Sequence, residues 1–459
     1  MSQITIIFGA NVAKRPWLRT VANPWLRTLV SDEINPGIVF SLPLPHSTMT
    51  MDSLDIAGSA QQEFVTDSNE ALELKLVRCR EDLERDDASF APEMSHQVFG
   101  DTETIFGYKG LRVKLYYSAA RLATYLGMTY ETKIDPKKSQ GVEPDEVLKP
   151  VADKLPPKFF TNIDEFVKAL DKDASFRPFG ELHHTFSPNS TSDSDASRTF
   201  EIYYCTAQTP GLREYHQALQ TFILWYIDAA SYIDVDDDRW RFFLCFERYS
   251  SAEGETRYAI AGYTTVYEYY AYPCNVRPRI SQMLVLPPFQ KMGLGAEMLD
   301  AVYRHYIPDT RVIDITVEDP SDNFTRLRDF VDCRNCAKLA AFQPKKLMQG
   351  FVPEMAEEAK KCLKLNSKQV RRVYEILRLK ATNVSDKEEY RNFRLDVKRR
   401  LYTPYQKEDS DMKKLLKVLR PEELALSVTS REQRLETLDR LYTQLEEEYK
   451  HVLERLAHL

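Results

Sequence analysis

The stretch Gln282-Met-Leu-Val-Leu-Pro-Pro-Phe-Gln290-Lys-Met-Gly293-Leu-Gly295-Ala296 joins an apolar run, a break and a glycine-spaced loop that opens a helix. Pro287 and Pro288 cannot donate hydrogen bonds to a neighbouring strand, so the strand must end or splay there. Gly293 and Gly295 allow a tight turn that brings bare amide groups close to a ligand. Because a helix N-terminus with free N–H groups binds phosphate well, the stretch predicts a site for a nucleotide-like cofactor.

The glycine spacing of this loop matches neither of the common nucleotide-binding loops. A dinucleotide fingerprint needs a third glycine, and a Walker loop needs a following Gly-Lys-Ser/Thr. The pattern Gln290-x-x-Gly293-x-Gly295-Ala296, directly after a proline-broken strand, resembles the acetyl-CoA loop of the GNAT acetyltransferases. A plain structural turn is the alternative that the loop alone leaves open.

Composition limits the class of protein. The 459 residues exceed one ordinary core and predict two to four domains, and a hydrophobic content of 43% suits globular packing. No apolar run approaches the length of a membrane span, and the net charge of −7 disfavours broad nucleic-acid binding. Seven scattered cysteines favour reduced thiols and an intracellular protein. Cys333-Arg-Asn-Cys336 lacks two further ligands nearby, so we interpret it as two ordinary helical cysteines and predict no metal site.

Changes in composition and periodicity divide the chain into five predicted regions. They are a poorly ordered N-terminal extension (1–68), an N-terminal α+β domain (69–190), a mixed α/β domain with the opening stretch (191–345), a helical domain (346–405), and a charged linker with an amphipathic, coiled-coil-like helix (406–459). The extension contains a repeated Pro-Trp-Leu-Arg-Thr, and we favour a poorly ordered segment over a transit peptide. The final helix is expected to pair with its own chain or with a partner.

The domain predicted over residues 191–345 has a mixed α/β (α+β) pattern. Its predicted elements include a helix over 213–229, strands over 240–248, 258–269 and 279–286, a helix over 295–306 and a strand over 311–317. That last strand ends in Glu318-Asp319-Pro320. Ligands collect at the carboxyl ends of strands in open α/β sheets, so the two acids form a candidate acid/base site. An exposed turn ahead of Pro320 is the alternative.

Longer segments resemble the catalytic subunits of the type B histone acetyltransferases. The most extensive are Arg277–Gln290, Val317–Ser321, Ser95–Gly100 and Arg371–Arg378, and the similarity covers about residues 70 to 425. The resemblance implies that residues 191–345 form a GNAT acetyl-CoA-binding catalytic domain. It is flanked by an N-terminal α+β substrate-binding domain (69–190) and a C-terminal helical domain (346–405).

The resemblance also implies an activity and a set of partners. The activity is direct acetyl transfer, in a ternary complex and without a metal, from acetyl-CoA to lysines in the tail of newly synthesised free histone 4, before chromatin assembly. The implied partners are histone 4 with histone 3, and a WD-repeat histone chaperone, with no direct nucleic acid and no membrane, in nucleus and cytoplasm. The alternatives are another GNAT enzyme acting on different proteins or amines, and a catalytically inactive histone-binding escort.

A lysine amine, with a pKa near 10.4, is mostly protonated at neutral pH, so the enzyme must remove a proton before transfer. Glu318 matches the family's catalytic glutamate and is the predicted general base. Asp319 beside it is expected to share that work or to raise the pKa of the base by like-charge repulsion. Asp228, at the end of the predicted helix, matches a further acidic position where the family usually has glutamate. Its shorter side chain leaves open whether it acts directly or through a water.

The same match assigns the cofactor site. Backbone groups of one strand hold the pantetheine arm, the glycine loop wraps the pyrophosphate, and two further residues flank the coenzyme. The assigned residues are Met283, Leu284, Val285, Gln290, Lys291, Met292, Gly293, Leu294, Gly295, Ala296, Asn323 and Phe324. Because the loop grips through backbone N–H groups, side-chain changes at Lys291, Met292 and Leu294 are expected to be tolerated.

For the histone tail, the resemblance assigns acidic and aromatic residues. They are Asp101, Thr102, Glu103, Trp240, Tyr267, Glu268 and Tyr269. Acids pair with the lysines and arginines of a basic tail, and aromatic faces hold aliphatic stems and cations.

Overall fold

A computed structural model describes residues 62–137, 141–188, 198–251, 253–415 and 431–458 of the chain. Nearly all of the predicted N-terminal extension, with its repeat, lies outside these residues. So do most of the polar linker before residue 198 and the segment 416–430.

The N-terminal part of the fold is built on a four-stranded sheet. The strands of this part are β1 (Val65–Asp67), β2 (Leu72–Val77), β3 (Ser89–Phe90), β4 (Thr104–Phe106), β5 (Tyr108–Lys109), β6 (Arg112–Ser118), β7 (Thr124–Thr129) and β8 (Thr132–Lys133). Of these, β1 pairs with β4 and β5 with β8 in two-stranded sheets. Its helices are α1 (Ser68–Ala71), α2 (His96–Phe99), α3 (Leu148–Ala152) and α4 (Ile163–Leu170). The sheet order is β3-β2-β6-β7, with β2 and β6 parallel. Alternate residues of β6 point into the core, as its period of two predicts.

A six-stranded sheet forms the centre of the molecule. Its strands are β9 (Glu181–Phe186), β10 (Thr199–Thr206), β11 (Trp240–Ser250), β12 (Thr256–Ala271), β13 (Asn275–Val285) and β14 (Thr316–Val317). Their order is β14-β13-β12-β11-β10-β9, antiparallel except for the parallel pair β13–β14. The associated helices are α5 (Leu212–Leu219), α6 (Ile223–Tyr226), α7 (Leu294–Tyr306) and α8 (Asp322–Cys336).

Two predicted elements of this part were wrong in extent. The helix expected over 213–229 is split, because a 3-10 turn at Gln220–Phe222 separates α5 from α6 and the latter ends at Tyr226. The strand expected over 311–317 is only β14, because Val312 makes a single isolated bridge to Val276 before the chain rejoins the sheet. Hydrophobic periodicity continues through both interruptions, so the sequence did not reveal them.

β13 and β14 separate after a short contact. They are in register only at Arg279 with Thr316 and at Ile280 with Val317. β13 runs on to Val285, paired on its other side with β12. As predicted, the strand ends just before the two prolines, which start the 3-10 turn Pro287–Phe289. Among the residues that the structure describes, no strand therefore pairs with the β14-facing edge of β13 along its last residues.

Helices complete the fold. They are α9 (Pro344–Leu347), α10 (Pro353–Leu363), α11 (Ser367–Ala381), α12 (Lys387–Leu401), α13 (Thr403–Leu415) and α14 (Arg431–Ala457). α14 packs against α8, α11 and α12, so the final helix pairs with its own chain. Tyr449 and Val452 are buried in that contact, whereas Leu435 and Leu441 remain exposed.

A second, small cluster of Val77, Tyr116, Phe166 and Leu170 lies in the N-terminal part, but most of the buried apolar residues form one continuous core. It extends from Ala71 beside β2, through both faces of the central sheet, to Leu456 in α14. Among the helices that the structure describes, none has the length and hydropathy that crossing a membrane requires. Cys333 and Cys336 lie buried in α8 as ordinary helical residues, and burial raises the pKa of both thiols.

Candidate active site

The glycine loop connects the end of β13 to the N-terminus of α7. Gly293 caps the helix with a φ of 83°, in the left-handed region, and Lys291 has a φ of 65°. The helical hydrogen bonds begin where the Ala296 N–H donates to the Gly293 carbonyl at 3.0 Å. Gln290 Nε2 donates to the Val285 carbonyl at 3.1 Å and fixes the loop to the strand end. The amides of the loop therefore precede the helical ladder, as a phosphate site requires.

The open edge of β13 lies next to this loop. Glu318 N–H donates to the Ile280 carbonyl at 2.9 Å, and after that bond the chain turns away. Met283 and Val285 then turn their backbone groups to the free edge, whereas those of Leu284 face β12, as alternation along an antiparallel strand requires. The side chains of all three are buried in the core. An extended amide-bearing arm fits such an edge as an added strand would. The edge and the loop together fit the two chemically different halves of acetyl-CoA.

The loop's side chains are not all free to vary. Lys291 is exposed and Met292 is half-buried against Arg198, but Leu294 is only 1% exposed. The expectation that Leu294 tolerates change was therefore wrong, because its side chain is part of the core under α7. Its contribution to a phosphate site is limited to its backbone.

Glu318 lies at the carboxyl end of β14 and is held by an arginine. Arg279 Nη1 donates to Glu318 Oε2 at 2.7 Å, and the guanidinium stacks on Tyr269 at 4.7 Å from the ring centroid. Burial opposes the charge on Arg279, but the hydrogen bond and charge of Glu318 outweigh it, so the pKa of Arg279 is raised. Asp319 is exposed, with a φ of 27°, and turns the chain away from the sheet. Glu318, half-buried and oriented, is the better placed of the two acids to act as a base.

Asn323 and Phe324 occupy the first turn of α8. Ser321 caps that helix by accepting a hydrogen bond from the Phe324 N–H at 3.2 Å. Asn323 Oδ1 accepts a hydrogen bond from Arg326. Phe324 is 1% exposed and packs into the core. Asn323 is therefore the one of the two whose side chain is partly exposed.

Three of the predicted tail-binding residues, Trp240, Tyr267 and Tyr269, share one face of the sheet. Trp240, Tyr267 and Arg279 are directly opposite one another on β11, β12 and β13. The Trp240 and Tyr267 rings meet edge to face at 4.9 Å, and Tyr267 meets Tyr269 at 4.7 Å. Because Arg279 holds Glu318, this aromatic face leads directly to the candidate base.

One carboxylate next to this face already has its partners within the fold. Tyr267 donates to Asp237 at 2.8 Å, and Arg239 forms an ion pair with the same carboxylate at 2.7 Å. The hydrogen bond from Arg239 is the main reason that the pKa of Asp237 falls to about 2. Burial, aided by Asp237, raises the pKa of Tyr267 to about 12. Asp237 is thus charged but already paired.

Glu268 is not brought together with its two tyrosine neighbours. Successive residues of a strand point to opposite faces, so Glu268 faces α7. There it pairs with Arg241 at 2.7 Å and accepts a hydrogen bond from Tyr306 at 3.2 Å. The structure therefore places its carboxylate on the other side of the sheet from Tyr267 and Tyr269.

The predicted tail-binding acids of the N-terminal domain lie in the turn before β4. Asp101 and Thr102 are exposed there. Glu103 has a φ of 49°, and its carboxylate accepts hydrogen bonds from Ser95 N–H at 2.6 Å and His96 N–H at 2.9 Å. These donors, Ser95 first, lower the pKa of Glu103.

Asp228 lies in the turn after α6, two residues beyond its end. The prediction that it ends a helix was therefore wrong, since Ile227 has already left the helical conformation. Its side chain is 70% exposed, and its Oδ1 lies 3.1 Å from His96 Nε2. The turn is fixed to the site because Gln282 Nε2 donates to the Ser231 carbonyl at 3.1 Å.

Sequence reasoning did not single out Arg279, His96 or Gln282 as functional residues. Each belongs to a segment that carried the family resemblance, but nothing in the pattern showed which side chain it contacts. A polar Gln282 inside the apolar stretch was the one local signal, because a buried amide needs partners. The site combines an oriented carboxylate, a free strand edge and an amide-lined loop, which suits removal of a proton from an amine beside a bound thioester.

Comparison with known proteins agrees with this chemistry. A family model described as "Histone acetyl transferase HAT1 N-terminus" matches residues 64–228, and one described as "Histone acetyltransferase type B catalytic subunit, C-terminal" matches residues 328–379. The histone acetyltransferase type B catalytic subunits of Rattus norvegicus and Homo sapiens are each 48% identical over 397 residues, covering 86% of this chain and 94% of the relative. That of Cryptococcus neoformans var. neoformans is 30% identical over 426 residues, covering 85% and 98%. The chain therefore belongs to the family of histone acetyltransferase type B catalytic subunits, enzymes that acetylate histones with acetyl-CoA as co-substrate.

Proposed function

We propose that this enzyme acetylates lysines in the N-terminal tail of free, newly synthesised histone 4, before chromatin assembly, by direct transfer in a ternary complex. The observation that carries the proposal is the position of Glu318. Glu318 directly follows β14, and the free edge of β13 begins where β14 diverges from it. The same divergence therefore positions the base and exposes the edge that would bind the cofactor. The GNAT mode of coenzyme binding is part of the same proposal.

Within this proposal each part of the chain has one task. The free edge of β13 and the amides around Gly293 hold acetyl-CoA, which supplies its acetyl group as a thioester. Arg279 holds the Glu318 carboxylate toward the site. Glu318 accepts a proton from the lysine ammonium, and the uncharged amine then attacks the thioester carbon. The C–N bond of the amide forms as the C–S bond breaks, and coenzyme A leaves as the thiol with the second proton of the amine. Trp240, Tyr267 and Tyr269 offer ring faces to the aliphatic stem and the charge of the tail.

The test of the base is Glu318→Gln, compared with Glu255→Gln as a control. Glu255 is an exposed acid, 60% accessible, whose partner is Arg257. We expect Glu318→Gln to lower kcat on a histone 4 tail peptide by about 100-fold or more, because a general base contributes that much. Acetyl-CoA binding, measured by calorimetry, should persist in both variants. Turnover by Glu318→Gln equal to that of Glu255→Gln would contradict the assignment.

The substrate is tested by competition. Histone 4 tail peptide, histone 3 tail peptide, an unrelated lysine peptide and spermidine are incubated with the enzyme and acetyl-CoA, and mass spectrometry measures the acetylation of each. We expect the histone 4 peptide to be preferred. Preference for spermidine or the unrelated peptide would favour a different acetyltransferase, and histone binding without acetyl-CoA binding would favour an inactive escort.

We further propose that the chain works with a WD-repeat histone chaperone, carries histone 3 with histone 4, and is present in both cytoplasm and nucleus. Leu435 and Leu441 offer exposed apolar contacts on α14, whose opposite side is buried in the fold. Replacing both by glutamate leaves the core intact, so loss of chaperone capture in a pull-down would locate the partner on α14. Capture equal to that of the unmodified chain would exclude this site, and microscopy of the tagged protein tests the location.

A further inference from the structure

A histidine lies between two carboxylates from different parts of the fold. His96 Nδ1 is 3.5 Å from Glu103 Oε1, and His96 Nε2 is 3.1 Å from Asp228 Oδ1. Glu103 precedes β4 in the N-terminal domain, whereas Asp228 follows α6 beside the catalytic sheet. Acid, imidazole and acid thus form an array across the boundary between the two.

The Glu103 end of this array is built to hold the imidazole. Glu103 accepts hydrogen bonds from the backbone of Ser95 and His96 through one oxygen and from Asn69 at 2.9 Å through the other. Its own carbonyl accepts from Ser68 Oγ at 2.7 Å, which also bonds Ser95 Oγ at 2.6 Å. With so many internal donors, this carboxylate has little capacity left for a lysine or arginine of a peptide. Glu103 is therefore better placed to orient the His96 imidazole than to bind the peptide.

The Asp228 end of the array is open. The Asp228 side chain is 70% exposed and is held by His96. Hydrogen bonds from Gln97 Nε2 to the Ala230 carbonyl at 2.9 Å, and from Ala230 N–H to Gln97 Oε1 at 3.1 Å, fix the following turn to α2. The next residue, Ser231, is the one bound by Gln282 of β13. The acid is therefore fixed at the rim of the site from two sides while one of its oxygens faces solvent.

The small contribution of the His96–Asp228 contact to stability allows its role in the site to be tested apart from folding. A contact between an imidazole and a carboxylate as exposed as that of Asp228 stabilises a fold by about 0–1 kcal/mol. Its removal should leave the protein folded, so any large effect on turnover reports on the site. We propose that His96 is a positioning residue: oriented by Glu103, it holds the Asp228 carboxylate so that its open oxygen meets the incoming lysine ammonium. This inference rests on the proposed function and changes the part of Glu103 from a tail contact to a support.

The test is a double-mutant cycle with His96→Ala, Asp228→Ala and the double variant, measured as kcat and KM on histone 4 tail peptide. We expect each single change to lower kcat/KM about ten-fold, and the double variant to be no slower than Asp228→Ala, because coupled residues are not additive. His96→Gln keeps a donor near Nε2 and should recover most of the loss. Additive losses, or no recovery by glutamine, would overturn the proposal.

Two controls keep the outcome specific. His451→Ala removes an exposed histidine that pairs with Glu454 at 3.4 Å on α14, and it should leave kcat/KM unchanged. Melting temperatures of all variants should stay close to that of the unmodified protein, and His96→Gln with Asp228→Asn replaces the cycle if an alanine variant fails to fold. Failure of the unmodified enzyme to acetylate the peptide would refute the proposed function instead, which distinguishes the two results.

Discussion

At the scale of single residues, the arrangement around Glu318 depends on one guanidinium. Arg279 binds Glu318 and rests on Tyr269, so it connects the base to the aromatic face. We expect Arg279→Met to lower kcat about 100-fold, since loss of about 1 Å of alignment has that effect, while acetyl-CoA affinity stays unchanged. Arg279→Lys keeps the charge but lacks the planar guanidinium, so its kcat should lie between those of the unmodified enzyme and Arg279→Met. Steady-state kinetics with Arg257→Met as the matched control measures this, and a kcat equal to the control's would show that Glu318 needs no such support.

A second residue-scale prediction concerns His216, which is fully buried. Within the described part of the chain neither of its ring nitrogens has a hydrogen-bond partner, and burial lowers the pKa of His216 from 6.5 to about 3. Below pH 6.5 the unfolded ring takes up a proton and the folded ring does not, so this contribution to stability is complete above pH 6.5 and is lost as the pH falls toward 3. The loss at pH 5 is about 2 kcal/mol.

The change that tests this is His216→Phe, because an aromatic ring keeps the contacts with Phe242 and Tyr263. Urea unfolding at pH 7.5 and pH 5 should show that the variant loses about 2 kcal/mol less on acidification than the unmodified protein. His451→Gln, at an exposed position, should leave the pH dependence as it was. An unchanged pH dependence in His216→Phe would mean that the buried ring already carries a proton at pH 5.

At the scale of elements, the sequence predicted the strand, proline break and glycine-capped helix correctly because each is encoded locally. The prolines that begin at Pro287 follow the end of β13. The left-handed cap conformation at Gly293 is one that glycine adopts without strain, because it has no Cβ. The short β14 and the division of α5 from α6 depend on tertiary contacts, such as the bridge from Val312 to Val276. The same holds for Glu268: alternation separates it from Tyr267, but only the packing of α7 shows which face is occupied.

α14 provides the prediction at this scale. Tyr449 is 1% exposed, and its hydroxyl donates to Glu375 at 2.7 Å, on a carboxylate that also binds Arg400. Tyr449→Ala should lower the free energy of unfolding by about 3–5 kcal/mol, as the loss of a buried aromatic ring does. Leu441→Ala, on the exposed side of the same helix, should change it by less than about 0.5 kcal/mol. Equal losses measured by urea unfolding would mean that α14 is not docked as described.

At the scale of the whole molecule, one buried carboxylate joins the N-terminal domain to the catalytic sheet. Glu247 of β11 is 3% exposed and binds Arg78, just after β2, and Arg198, just before β10, each at 2.5 Å. Removing it leaves two arginines, each about one-third exposed, without their shared partner at the junction of the two parts. Because water still reaches both guanidinium groups, the loss should be about 1–3 kcal/mol, the range for unpaired polar groups.

Glu247→Ala should therefore lower the melting temperature of the whole chain, and calorimetry should still show a single transition. The reason is that β2, the central sheet and α14 share one core, and the separate cluster in the N-terminal domain has only four buried residues. Asp87→Ala removes an exposed pair with Arg85 and should leave the melting temperature almost unchanged. Two resolved transitions in Glu247→Ala would show instead that the N-terminal domain folds independently and that Glu247 only docks it.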